Sequence, residues 1–160
     1  MKIREATEED FSQIWTIFHE IISKGETYAY DPNTSKNEAF KLWIEIPQKT
    51  FVCEEDGSIL GTYYLKNNQC GNGSHVCNCG YMVARQSRKR GIATLMCKHS
   101  QEIAKALKYK AMQFNFVIST NTTAINLWKK LDFEIVGKLP KAFKHPQAGY
   151  VDALIMYKLL

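Results

Sequence analysis

The stretch from Cys77 to Leu107 constrains the fold of this chain more than any other part of it. Asn78-Cys79-Gly80-Tyr81-Met82-Val83 reads as a strand, and Arg85 to Arg90 is a polar turn holding four cations in six residues. Gly91 then opens a helical repeat that turns Ile92, Leu95, Met96, Ile103 and Leu107 to one side. A strand, a basic turn and a helix start make an anion site, because the first backbone N–H groups of a helix lack intrahelical partners and the macrodipole is positive there. Arg85, Arg88, Lys89 and Arg90 add charged donors around the same point. With no side chain at residue 91, a phosphate can approach the backbone closely.

A chain of 160 residues with 45% hydrophobic content suits one domain spanning 1–160. Its apolar runs are too short to span a membrane, and Met1-Lys2-Ile3-Arg4-Glu5 leads into acidic residues without a signal-peptide core, so no membrane partner and a cytoplasmic location are expected. Net charge is +5, most of it in the turn before Gly91. That compact cluster points to a polyanionic ligand; no nucleic-acid partner is expected, since basic stripe and interleaved aromatics are both missing. Five cysteines argue against a disulfide framework. Cys70, His75, Cys77 and Cys79 raise the question of zinc, but Cys-x6-Cys-x-Cys is no zinc spacing and two ligands on one strand face are poorly placed for a tetrahedron, so no metal is expected.

In chain order, Lys2 to Ala6 reads as a short strand, and Thr7 with Asp10 as a capping box opening a helix that ends near Ser23. Gly25 to Asn33 is a polar and aromatic loop. A second helix starts at Ser35 and stops before Pro47. Phe51 to Cys53 and Ile59 to Lys66 form a hairpin around Glu55-Asp56-Gly57-Ser58. After the strand, turn and helix already described come a strand over Ala111 to Ser119 and a helix over Thr122 to Leu131, N-capped by Asn121. Strands at Glu134 to Leu139 and Tyr150 to Leu159 follow, joined by a loop from Pro140 to Gly149. The element order is βααβββαβαββ, an α/β chain with four helices.

Arg88-x-x-Gly91-x-Ala93, following a strand that ends in Val83-Ala84, resembles the acetyl-coenzyme A signature of the GCN5-related N-acetyltransferases. Asn121, Ala124, Leu127, Trp128 and Leu131-Asp132-Phe133 are similar to a second block of that family. The element order is also that of the family, and the resemblance implies a mixed, mostly antiparallel twisted sheet with splayed strands four and five, flanked by the four helices, with acetyl-coenzyme A between those strands as co-substrate. It places the pyrophosphate at Arg88, Lys89, Arg90, Gly91, Ile92 and Ala93, the thioester oxygen on a backbone N–H of Met82 or Val83, and the pantetheine arm by Asn121. Two positions depart from the family. Asn78 stands where many relatives have a basic glutamate, and Trp128 where a general-acid tyrosine is usual; an amide is no base and an indole no useful acid.

Asn115 is an amide in the middle of an apolar strand, where burial without partners costs about 1–3 kcal/mol, so a ligand, water or polar group is expected beside it. Phe114-Asn115-Phe116-Val117, Thr120-Asn121 and Asp152-Ala153 resemble, within the family, fungal acetyltransferases that detoxify proline analogues such as azetidine-2-carboxylate, in which the matching asparagine contacts the substrate. The resulting expectation is a small-molecule amine acceptor, an amino acid or proline-like analogue, bound by Tyr28, Tyr30, Asn115, Phe143 and Tyr150. Direct attack in a ternary complex, with protons relayed through water held by Asn78 and Asn115, is the expected mechanism. A protein N-terminal or lysine acetyltransferase and a non-catalytic acetyl-coenzyme A-binding module are the alternatives. The oligomeric state stays open, with a homodimer among the options.

Overall fold

The computed structural model describes all 160 residues. Its strands are β1 (Lys2–Glu5), β2 (Lys49–Glu55), β3 (Ser58–Asn67), β4 (Val76–Val83), β5 (Ala111–Ile118), β6 (Glu134–His145) and β7 (Gly149–Leu159). They form one sheet in the order β1-β2-β3-β4-β5-β7-β6. Four helices flank it: α1 (Phe11–Ile22), α2 (Lys36–Phe40, widening into a π turn over Lys41–Glu45), α3 (Ile92–Ala106) and α4 (Thr122–Lys130). Only β4 and β5 run parallel, because α3 carries the chain back across the sheet between them. No helix is long and apolar enough to cross a membrane.

Period-two alternation distributes the core over both faces. Val52, Tyr64 and Met82 meet α1 and α2 through Ile14, Phe18 and Trp43, whereas Phe51 and Tyr63 meet Ile92 and Met96 of α3. Trp43 is fully buried, and its indole N–H donates to Thr62 Oγ1 at 3.0 Å. The capping box expected at Thr7 forms, with Thr7 N–H donating to Asp10 Oδ2 at 2.8 Å, and a second opens α2, where Ser35 N–H donates to Glu38 Oε2 at 2.8 Å. The β2–β3 turn adopts positive φ at Asp56 and Gly57, the backbone of a tight hairpin.

β4 and β5 pair only over Val76–Asn78 and Ala111–Gln113. Beyond that, β4 continues with β3 to Val83 and β5 with β7 to Ile118, so the two strands part. A bulge in β5 between Phe114 and Val117 turns it away from β4. One expectation fails here: Pro140 to Gly149 is not a loop, because β6 runs on to His145 and pairs with β7 as far as Gly149. Pro140 is tolerated since β6 is an edge strand, and a register shift between Leu139 and Phe143 absorbs it.

Candidate active site

The parting of β4 and β5 opens a cavity of about 840 Å³ through the sheet. Its wall is formed by Tyr28 and Tyr30 from the loop after α1, Tyr64 and Lys66 of β3, Phe114 to Ile118 of β5, and Asn121 and Trp128 of α4 and its cap. The loop is fastened down rather than merely draped. Tyr28 Oη donates to the Tyr81 carbonyl at 2.8 Å, the Tyr28 and Tyr30 rings stack with centroids 5.6 Å apart, and Tyr30 stacks in turn on Phe18 of α1 at 5.7 Å.

Hydrogen bonding sorts the N–H groups of β4. Ala84 N–H donates to the Leu60 carbonyl and Asn68 N–H to the Val76 carbonyl, so the even-numbered residues of β4 exchange bonds with β3. The Met82 N–H is therefore directed at Thr62 and away from the opening, which removes it as a donor to a ligand. Val83 and Tyr81 point their N–H groups into the opening, and only Tyr81 borders the cavity.

At the far end of β4, the turn into α3 leaves Gly91 in the left-handed region, φ 77°, with no side-chain cap. The first bond of the helix runs from Leu95 N–H to the Gly91 carbonyl, so the preceding N–H groups are free for an anion. A Cβ at Gly91 would meet nothing within 4 Å, which means the approach to those amides is open. Arg90 differs from its neighbours: its Nη2 lies 2.5 Å from Glu55 Oε2, so part of its charge is already met within the chain.

Residues 6–133 match the model of the Acetyltransferase (GNAT) family. The chain belongs to that family. A relative, the N-acetyltransferase aca1 of Schizosaccharomyces pombe, is 31% identical over 151 residues, covering 84% of this chain and 72% of the relative. A GCN5-related N-acetyltransferase from Kribbella flavida has the same architecture, with TM-score 0.94 and 39% identity over 99% of this chain and 97% of its own. A Sinorhizobium meliloti phosphinothricin acetyltransferase solved in complex with acetyl-coenzyme A superposes with TM-score 0.87 over 99% of this chain and 88% of its own; at 18% identity it speaks for the fold alone.

As a GNAT acetyltransferase the protein catalyses N-acetylation with acetyl-coenzyme A as co-substrate. The wall of its cavity contains no Asp, Glu or His. Burial pushes the phenols of Tyr28, Tyr30, Tyr64 and Tyr81 upward, so all four stay protonated at neutral pH. Desolvation likewise raises the Cys79 thiol, the one sulfur on the wall. Nowhere in the chain do three His, Cys, Asp or Glu side chains gather as a metal site.

Tyr28, Tyr30, Asn78, Asn115, Asn121 and Trp128 all reach the cavity wall. Phe143 and Tyr150 do not. Phe143 packs edge-on against Phe116, 6.4 Å between centroids, and Tyr150 projects from the start of β7 with 66% of its surface exposed. Asn115 has the polar neighbours expected of it, but not in the interior: the β5 bulge turns it to the surface, where its Oδ1 accepts from Gln113 Nε2 at 2.8 Å and its Nδ2 donates to Asn68 Oδ1 at 2.7 Å. Asn78 is the buried amide instead. Its Nδ2 donates to the Gln113 carbonyl at 2.9 Å and its Oδ1 accepts from Tyr64 Oη at 3.1 Å, bracing β4 against β5 where they begin to part. Asn121 caps α4, accepting from Ala124 N–H at 3.2 Å. Trp128 packs on Tyr81 and Phe114, and its indole N–H, unbonded within the chain, is not sealed in the core. Sequence reasoning missed Tyr64 and Lys66; their alternation marks a strand, but not that the strand face borders a cavity.

Proposed function

We propose that residues 1–160 act as one N-acetyltransferase domain that acetylates the amine of a small molecule, an amino acid or proline-like analogue, by direct attack in a ternary complex. The observation that carries this reading is the fastened aromatic loop: Tyr28, bonded to the Tyr81 carbonyl, covers the side of the cavity that we assign to the acceptor. A peptide substrate would need an open groove there. The resemblance of the Phe114 to Val117 segment to the proline-analogue enzymes supports the same class.

When bound, acetyl-coenzyme A supplies a thioester carbonyl open to an amine. The N–H groups at the start of α3, with Arg88 and Lys89, hold its pyrophosphate. Gly91, Ile92 and Ala93 offer backbone rather than side chain, and Arg90 serves chiefly to tie the turn to Glu55. Asn121, whose Nδ2 is unbonded within the chain, and the Trp128 ring line the pantetheine arm. The Tyr81 N–H, rather than that of Met82 or Val83, receives the negative charge that develops on the thioester oxygen. Asn78 keeps that strand edge in place, and Asn115 holds water beside the acceptor. As the amine nitrogen bonds to the acetyl carbon and the carbon–sulfur bond breaks, the amine proton leaves to water and the thiolate is protonated from solvent. Cys79 stays a buried thiol and forms no acetyl adduct.

A thiol-release screen with acetyl-coenzyme A tests the reading across amino acids, azetidine-2-carboxylate, polyamines, and N-terminal and lysine peptides. Turnover concentrated among amino acids and proline analogues is expected. Turnover confined to peptides would overturn the acceptor class.

A further inference from the structure

Lys66 is the one charged side chain on the cavity wall, and its position has consequences for the acceptor. It stands on β3 opposite Asn78, and its ammonium lies 5.2 Å from the centroid of the Tyr64 ring. None of the chain's ion pairs includes it. Lys66 is partly buried as a residue, and the ring face beside its ammonium is worth only about 0.5–1 kcal/mol. The amides beside it, Asn67 and Asn68, supply further hydrogen-bonding groups without charge, and no carboxylate on the wall competes for the cation. Three residues of strand, about 10 Å, separate the level of Asn78 from that of the Tyr81 N–H. A lysine stem crosses part of that span and an α-amino acid, with its carboxylate one carbon from its amine, fills the remainder.

We infer that Lys66 is a specificity-determining residue that pairs with a carboxylate next to the acceptor's amine, so that free amino acids are taken and amines without an adjacent carboxylate are discriminated against. This rests on the proposal that the acceptor binds at the Tyr28–Tyr30 end of the cavity. A charge-assisted pair of this kind corresponds to about a 10- to 100-fold preference.

The test measures kcat/KM, referred to the neutral amine, for proline and azetidine-2-carboxylate against pyrrolidine, azetidine and prolyl dipeptides, in the wild type and in Lys66→Met, Lys66→Gln and Lys66→Arg. The wild type is expected to favour the free amino acids by about 10- to 100-fold. In Lys66→Met that ratio falls to near one, through KM of the acceptor and not of acetyl-coenzyme A, and Lys66→Arg restores it. Lys66→Gln gives the same reading should the methionine variant fail to fold. Undiminished preference in both neutral variants would overturn the role of Lys66. Equal wild-type turnover of acids and plain amines would overturn it too, while leaving the small-molecule reading intact. Thiol release from no small amine of either kind would instead overturn that reading, and the role of Lys66 with it.

Discussion

Gly80 lies so close beneath Tyr64 that a methyl group added to it would sit 2.6 Å from Cε1 of the ring. Gly80→Ala must therefore push the ring aside and weaken the Tyr64–Asn78 hydrogen bond. The expected result is an acceptor KM raised about 10-fold, the scale of one lost positioning contact, with the KM of acetyl-coenzyme A unchanged. Equal effects on both constants would mean that the cavity is not divided as described. Single residues were the least legible feature of the sequence. Asn115 could be picked out as an unusual amide, but the bulge that brings it to the surface depends on where β5 loses register with β7, which no local pattern reveals. Asn78 looked like the remnant of a base; its two bonds across the β4–β5 junction are visible only once those strands are side by side. Tyr28 was legible as part of an irregular aromatic loop, while its partner, a backbone carbonyl 53 residues away, was not.

Helix starts and caps, by contrast, were readable almost residue by residue, because short-range hydrogen bonds set them. The start of α3 yields the sharpest prediction at this scale. Gly91→Glu places a carboxylate where an anion belongs and a side chain on a left-handed backbone, at a strain cost of about 1–2 kcal/mol. Calorimetry should find acetyl-coenzyme A binding abolished with the fold retained; unchanged affinity would move the pyrophosphate elsewhere. The start of α1 yields a pH prediction. Arg4 donates to Asp10 through Nη1 at 2.6 Å and Nη2 at 2.8 Å, and these hydrogen bonds, with those from Thr7, hold the Asp10 carboxyl down at about 2 against the opposing effect of burial. A depressed carboxyl stabilises the fold above its unfolded pKa, so this contribution, about 1–2 kcal/mol after solvent screening, is present at neutral pH and lost as pH falls from about 4 to 2. Asp10→Asn should lower stability by that amount in urea titrations at pH 7 and make little difference near pH 2. An effect that persists in full at pH 2 would assign it to something other than the ion pair.

At the scale of the molecule, period-two and period-3.6 patterns were enough for the element order, since each strand and helix has a face that must be buried, while the mixed sheet was legible only through the family resemblance. The misread segment, Pro140 to Gly149, is an edge hairpin with most of its β6 residues exposed, and so carries little apolar alternation to read. The cavity exists because β4 and β5 pair over a few residues and then follow different neighbours, which lines it with phenols, amides and one lysine but no carboxylate or imidazole. With no carboxylate or imidazole on the wall, the proposed mechanism leaves the proton to be governed by the acceptor itself. The pH dependence of kcat/KM, measured with two acceptors whose amines differ in pKa, tests this most directly. A profile whose apparent pKa moves with the acceptor's own is expected, and Cys79→Ala should leave it unaltered. A profile held at one enzyme pKa whichever acceptor is used would contradict it.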